Sequence, residues 1–488
     1  MITKELKPIM FVGTGSDVGK SVVNTAFCRV FLQDGYNPAP FKAQNMSLNS
    51  YATNEDLEIG RAQAVQAEAC GIECLSDMNP VLLKPTDHTN AQVVLNGKPA
   101  GNKSAAEYFN KNHRDGYFKN VTSAYNRLKK NYNPIVIEGA GSISEVNLWS
   151  TDIVNMRMAL YSKASVFLVA DIDKGGIFGS LYGTVLLLPE EERKAIRGII
   201  INKFRGDIKL FSQGKEIIEK LTGIPVVGIL PWFDDIFIEQ EDSVFLDNPK
   251  TKISEREVNI AVVLLKHLSN FTDFNTLAQV PGINLIYTRN LTELQKADII
   301  IIPGSKNTIA DLAFLRSEGL AGVILRHYSE GKPLYGICGG FQIMGEWIHD
   351  PFHIEGEIES MPGLGIFPVQ TTLEKEKKTR KCKFSLTNFE GYGEGYEIHS
   401  GITSTTAPFA VLDDGTNDGY YLNPKTWGTY IHGVFDNTSI ISSILEEVKS
   451  SEKIEIDYKG YKEENYNLLA DWVRNNVNME YIYKTLEI

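Results

Sequence analysis

The sequence is poor in cysteine, in long apolar runs and in net positive charge, and each shortage excludes something. Five cysteines in 488 residues, at positions 28, 70, 74, 338 and 382, are odd in number and scattered, which speaks against a disulfide framework. Cys70 and Cys74 are spaced for one helix, but no second ligand pair follows, so zinc is not expected. No apolar run approaches the ~20 residues of a membrane span, and residues 1–7 lack a signal-peptide apolar core. A reducing cytoplasm without a membrane partner is the expectation. Lys and Arg total 49 against 61 Asp and Glu, a formal charge of −12. So acidic a chain lacks the basic footprint of a nucleic-acid binder. What is present, 43% hydrophobic and 23% charged residues, is the composition of an ordinary globular protein. The length allows about two to four domains.

The first half is organised around Gly13-Thr14-Gly15-Ser16-Asp17-Val18-Gly19-Lys20-Ser21. An apolar run, Ile9-Met10-Phe11-Val12, precedes it, and a segment with helical apolar spacing follows. Strand, glycine loop and helix are the context of a phosphate loop. Gly13, Thr14, Gly15 and Gly19 turn backbone N–H groups inward as an anion nest, and the helix N-terminus adds its dipole. Lys20 supplies charge to the outer phosphates of ATP, and the Ser21 hydroxyl is a ligand for Mg²⁺. The first Gly lies one residue further upstream than in the common loop, a spacing that resembles the dethiobiotin synthetase group of ATP-dependent ligases.

Apolar runs at 135–137, 166–170, 198–201 and 225–230 alternate with helical patterns, which predicts a doubly wound parallel sheet. Ligands of such sheets sit beyond the carboxyl ends of the strands. Glu138 ends one run and is a candidate Mg²⁺ ligand, and Glu58, opening a helical pattern, is a second. Asn202, in Asn202-Lys203, stands where an amide reads a purine base, a helix cap being the alternative. Residues 41–50 are rich in amides and hydroxyls, with Lys42, Gln44, Asn45 and Ser47 as candidate substrate contacts.

The segments 41–47, 60–64, 79–85, 138–141, 171–176 and 201–207 occur in an order that resembles the cobyric acid synthase family of glutamine amidotransferases. Mixed, charged sequence at 234–256 places a boundary at about 248–257. The expected domains are an ATP-dependent synthetase over 1–250, a glutamine amidotransferase over 257–450, and a helical tail over 451–488 packed on the second domain or serving dimerisation. A helix is predicted at 465–476 in that tail.

In the second half Gly336-Ile337-Cys338-Gly339-Gly340, between a strand and a helix pattern, is a nucleophile elbow: the turn exposes the thiol and the helix N-terminus favours its anion. A Cys nucleophile needs a base. Of the eight His, His432 follows a strand pattern and is the expected base, with His399 a weaker candidate for positioning. Backbone N–H groups near Gly339 and Gly304 are the expected oxyanion hole. This half resembles the class I (triad) glutamine amidotransferases, many of which carry Glu two residues after the His. Val434 occupies that position, so the third group is missing or comes from elsewhere. The resemblance implies a flavodoxin-like second domain. It also implies a reaction in which ammonia from glutamine, with ATP and Mg²⁺, converts carboxylates of adenosylcobyrinic acid a,c-diamide to amides. Cobyrinic acid a,c-diamide synthase, a partitioning-type ATPase and a regulatory module are the alternatives. The last two leave Cys338 unexplained.

Overall fold

A computed structural model describes residues 4–86, 90–239, 253–255, 257–388, 391–448 and 457–488. Most of the boundary expected at 248–257, and the start of the tail, lie outside these residues.

The first half is built on β1 (Ile9–Gly13), α1 (Lys20–Gln33), β2 (Ala39–Phe41), β3 (Ile135–Glu138), β4 (Ser165–Asp171), β5 (Ile196–Phe204) and β6 (Val226–Pro231). The strands form one sheet in the order β6-β5-β4-β1-β3-β2, every pairing parallel. All five residues of β1 are buried because both faces of the sheet are covered. The strand order reverses around β1, which places a crevice above the carboxyl ends of β1, β3 and β4.

The second half has β7 (Val258–Val263), β8 (Ile283–Thr288), β9 (Ile299–Ile302), β10 (Leu334–Ile337), α2 (Gly339–Met344), β11 (Tyr420–Asn423) and β12 (Thr426–Thr429). Its sheet order is β8-β7-β9-β10-β12-β11, parallel except for the edge strand β11. The Ile-rich β9 and β10 are wholly buried at its centre. Two parallel α/β sheets are thus what the alternation of runs predicts. A long antiparallel hairpin, Gln370–Leu386 with Tyr392–Thr403, leans from the second half onto the first. There Lys377 and Lys381 reach Glu58 and Glu73 at 2.6 and 3.0 Å.

The tail departs from expectation. Its helix α3 spans Tyr458–Asn476, longer than predicted, and it packs on the first half rather than the second. Leu469, Ala470, Trp472 and Val473 share one core with Val23, Phe27, Val30 and Phe31 of the first half. Arg474 pairs with Asp34 at 2.7 Å, and Glu239 accepts from Tyr458 Oη at 3.0 Å. The apolar stripe of α3 packs against α1. Among the described residues no helix is long and apolar enough to cross a membrane.

Candidate active sites

The first site is the crevice at β1. A cavity of about 930 Å³ is lined by Gly19, Lys20, Ser21, Lys42, Gln44, Asn45, Glu138 and Gly141, among others. The glycine loop ends at Gly19, whose φ of +93° only glycine adopts without strain; a Cβ there would also lie 2.1 Å from Asn202 Nδ2. Lys20 Nζ donates to the carbonyls of Gly15 and Gly141, at 3.0 Å each, and so spans the nest. Ser21 Oγ donates to Glu138 Oε1 at 2.9 Å, and Lys42 Nζ sits 2.8 Å from the same oxygen. Burial alone would raise the Glu138 carboxyl. The Lys42 ammonium, with Gln66 and Ser21, outweighs burial and holds it below the usual range. Two hard oxygens side by side form a donor set that suits Mg²⁺, which takes few protein ligands and completes its shell with phosphate and water.

The other candidates divide. Gln44 Oε1 accepts from Tyr108 Oη and Arg114 Nη1, at 2.8 and 2.7 Å, on the cavity wall. Asn45 Nδ2 donates to Gln63 Oε1 at 3.0 Å. Ser47 is buried outside the cavity lining, and its Oγ accepts from Asn49 N at 3.0 Å, so it shapes the loop. Asn202 stands against the phosphate loop: its Nδ2 donates to Val18 O at 2.9 Å and its Oδ1 accepts from Lys203 N at 2.8 Å. Glu58 is corrected. Its oxygens take the Lys84 and Lys377 ammonium groups at 2.6 Å each, and it does not line the cavity. Burial would raise this carboxyl, but the two lysines hold it far below the carboxylate range. Such a group binds ammonium, not the metal of the ATP site.

The second site is the elbow after β10. Cys338 has φ +51° and ψ −107°, a conformation rare for a residue with a side chain and a form of stored strain. The fold compels it: a Cβ on Gly340 would fall 1.9 Å from Ile302 O, so α2 can approach β9 only through glycine. Cys338 is buried, and its Sγ donates to Ile398 O at 3.8 Å. His432 follows β12, and its Nδ1 lies 2.6 Å from Asp273 Oδ2; Gly433 N donates to Asp273 Oδ1 at 3.1 Å. Burial lowers the affinity of His432 for a proton, but the charges of Asp273 and Cys338 prevail and hold it up at about 10. The imidazole is therefore charged at neutral pH.

Asp273 is the third group that the sequence left open. It lies in a one-turn helix, Phe271–Phe274, that follows the loop after β7. The sheet brings this turn beside His432 across 159 positions of sequence. The signal was there, since polar residues beyond a strand's carboxyl end are the ones to inspect, and the turn after β7 satisfies that rule. Val434, at the position of the expected Glu, is fully buried. Gly339 and Gly304 flank the thiol: a Cβ on Gly304 would lie 3.3 Å from His432 Cε1, and one on Gly339 would lie 2.8 Å from Ser305 N. His399 stands aside from the proton path. Its Nε2 is 3.1 Å from Glu397 and its ring stacks on Tyr430 at 3.9 Å.

Comparison with known proteins matches a domain to each half. Residues 9–244 match the CobQ/CobB/MinD/ParA nucleotide binding domain, and residues 259–440 match the CobB/CobQ-like glutamine amidotransferase domain. The chain is 54% identical to a cobyric acid synthase of Bacteroides fragilis over 99% of both chains. It is 54% identical to that of Parabacteroides distasonis, again over 99% of both. It is 42% identical to that of Caldanaerobacter subterraneus over 98% of both. With a nucleotide crevice and a Cys-His-Asp centre on one polypeptide, the chain belongs to the cobyric acid synthase family, ATP-dependent amide ligases of cobalamin biosynthesis that carry a glutamine amidotransferase domain.

Proposed function

We propose that the chain hydrolyses glutamine at Cys338 and uses the ammonia, with ATP, to amidate carboxylates of adenosylcobyrinic acid a,c-diamide, giving adenosylcobyric acid. The observation that carries this reading is the buried Cys338–His432–Asp273 array on the same chain as the Gly13–Lys20 phosphate loop. The Cys338 thiolate attacks the glutamine carboxamide carbon. N–H groups at Gly339 and Gly304 stabilise the tetrahedral oxyanion. His432, charged and oriented by Asp273, gives its proton to the departing nitrogen, and ammonia leaves a thioester on Cys338. His432 then takes a proton from water, which attacks the thioester and releases glutamate.

In the first site the backbone of residues 13–19 and Lys20 hold the triphosphate. Ser21 and Glu138 would hold Mg²⁺, which when bound neutralises phosphate charge. Lys42, Gln44 and Asn45 bind the substrate carboxylate near the γ-phosphate. The carboxylate takes the phosphoryl group, ADP leaves, and ammonia displaces phosphate to form the amide. Asn202 keeps the loop in shape.

Mass spectrometry of the corrinoid diamide incubated with the protein, ATP, Mg²⁺ and glutamine tests the reading. Successive acid-to-amide mass changes are expected. ATP hydrolysis without any mass change would refute the corrinoid assignment and leave the amide-ligase chemistry standing.

A further inference from the structure

Where the halves meet, residues 49–51 of the first lie against residues 270–273 of the second. Phe271 N donates to Asn49 Oδ1 at 3.1 Å, and Ser50 N donates to Asn270 Oδ1 at 3.1 Å. The two asparagines thus close a reciprocal clamp, and all four residues are buried. Asn270 is held at φ +52°, and its carbonyl accepts from Asp273 N at 3.0 Å. The clamp therefore runs straight into the turn whose carboxylate orients His432.

A second link runs beside it. Tyr51 meets Tyr396 edge-on at 4.8 Å, and Tyr396 stacks on the His432 ring at 5.3 Å. The main chains of Tyr396 and His432 also exchange both hydrogen bonds. On the far side, Asn49 N donates to Ser47 Oγ at 3.0 Å and Asn49 O accepts from Arg61 N at 3.1 Å. The same loop lines the synthetase cavity with Lys42, Gln44, Asn45 and Met46.

We propose that Asn49 and Asn270 are positioning residues that couple the synthetase loop to the Asp273–His432 pair, so that glutamine is hydrolysed in step with amidation. Buried hydrogen bonds cannot be released without leaving polar groups unpaired, so a loop moved by its substrate carries the 270–273 turn with it. Placement at a catalytic centre is steep in its effect: a shift of about 1 Å costs on the order of 10²-fold in rate. The inference rests on Cys338, His432 and Asp273 being the glutaminase.

The test is the amount of glutamate released per amide formed, measured with ATP, Mg²⁺, glutamine and the corrinoid diamide. Amidation supported by ammonia alone serves as the control for folding. Asn49→Ala is expected to raise the ratio severalfold while the ammonia-supported rate is kept. Asn49→Asp, which retains the acceptor for Phe271 N, is expected to restore the ratio of the unsubstituted protein. Asn270→Gly keeps the left-handed backbone, removes the Oδ1 and is expected to uncouple in the same way. If Asn49→Ala and Asn270→Gly both leave the ratio unchanged, or lower the ammonia- and glutamine-supported rates in equal proportion, the clamp is structural and the proposal fails. No glutamate release by the unsubstituted protein would overturn the functional reading together with it.

Discussion

His432 owes its charge to a carboxylate 2.6 Å away, and that contact sets its chemistry. Asp273→Asn removes the charge and frees the tautomer, so glutamine hydrolysis is expected to fall by about 10²–10⁴-fold. Amidation from free ammonia should persist, which glutamate release and amide formation measured side by side will show. The nearby Glu397 gives a pH prediction. Burial would raise its carboxyl, but His399, Arg380 and Lys378 hold it at about 2, below its ordinary 4.5. A depressed carboxylate stabilises the fold above its unfolded value and loses that contribution as pH falls toward 2. Glu397→Gln should therefore lower Tm most at neutral pH, and the gap should close in acid. Cys338, His432 and Lys20 were legible in sequence because each sits at a strand end among glycines, where the local pattern already describes the turn. Asp273 was harder to read: the strand-end rule admits the turn after β7, but only the sheet order names His432 as its partner. Glu58 misled for a related reason: an acid in a polar stretch looks available until Lys377 arrives from the far hairpin.

At the scale of elements, the phosphate loop depends on a backbone that only glycine permits. Gly19→Ala forces a Cβ into Asn202 and a side chain onto φ +93°. It should abolish ATP binding in calorimetry and leave glutamine hydrolysis by Cys338 intact. The cost of the strained residue alone is of order 1–3 kcal/mol. The strands of the first sheet could be read from their apolar runs, because a strand buried on both faces has to be apolar along its length. The address of α3 could not. An amphipathic helix announces that one face is covered but not by what, and α1 shows the same silence. Leu469 is completely buried between them. Leu469→Ala is expected to cost about 2–5 kcal/mol, read as a lower denaturant midpoint of the unfolding transition.

Across the whole molecule, the halves are held by polar contacts more than by a shared apolar core. The cluster that joins them is small: Ala52, Tyr396 and Ile398, with Tyr51 packed against it. Beside it Glu58 is the only anion in direct contact with both Lys84 and Lys377 among the described residues. Glu58→Ala leaves two buried ammonium groups without it, at a cost of about 3–5 kcal/mol. Unfolding monitored in both halves should then split into separate transitions. No sequence pattern foretold this junction, because it is made of single residues drawn from a loop, a turn and a hairpin. The wrapping of α3 over α1 also carries a consequence for how the molecule is made. A ribosome delivers the chain at about 5–20 residues per second, N-terminus first. The nucleotide-binding half emerges first, yet one wall of its core is supplied by residues 457–488. It must wait, open along α1, while the entire glutaminase half is translated and closes ahead of it. Proteolytic trimming from the C-terminus therefore strips the last-made part of the chain from the first-made half, and ATP-driven ligation should be lost before glutamine hydrolysis.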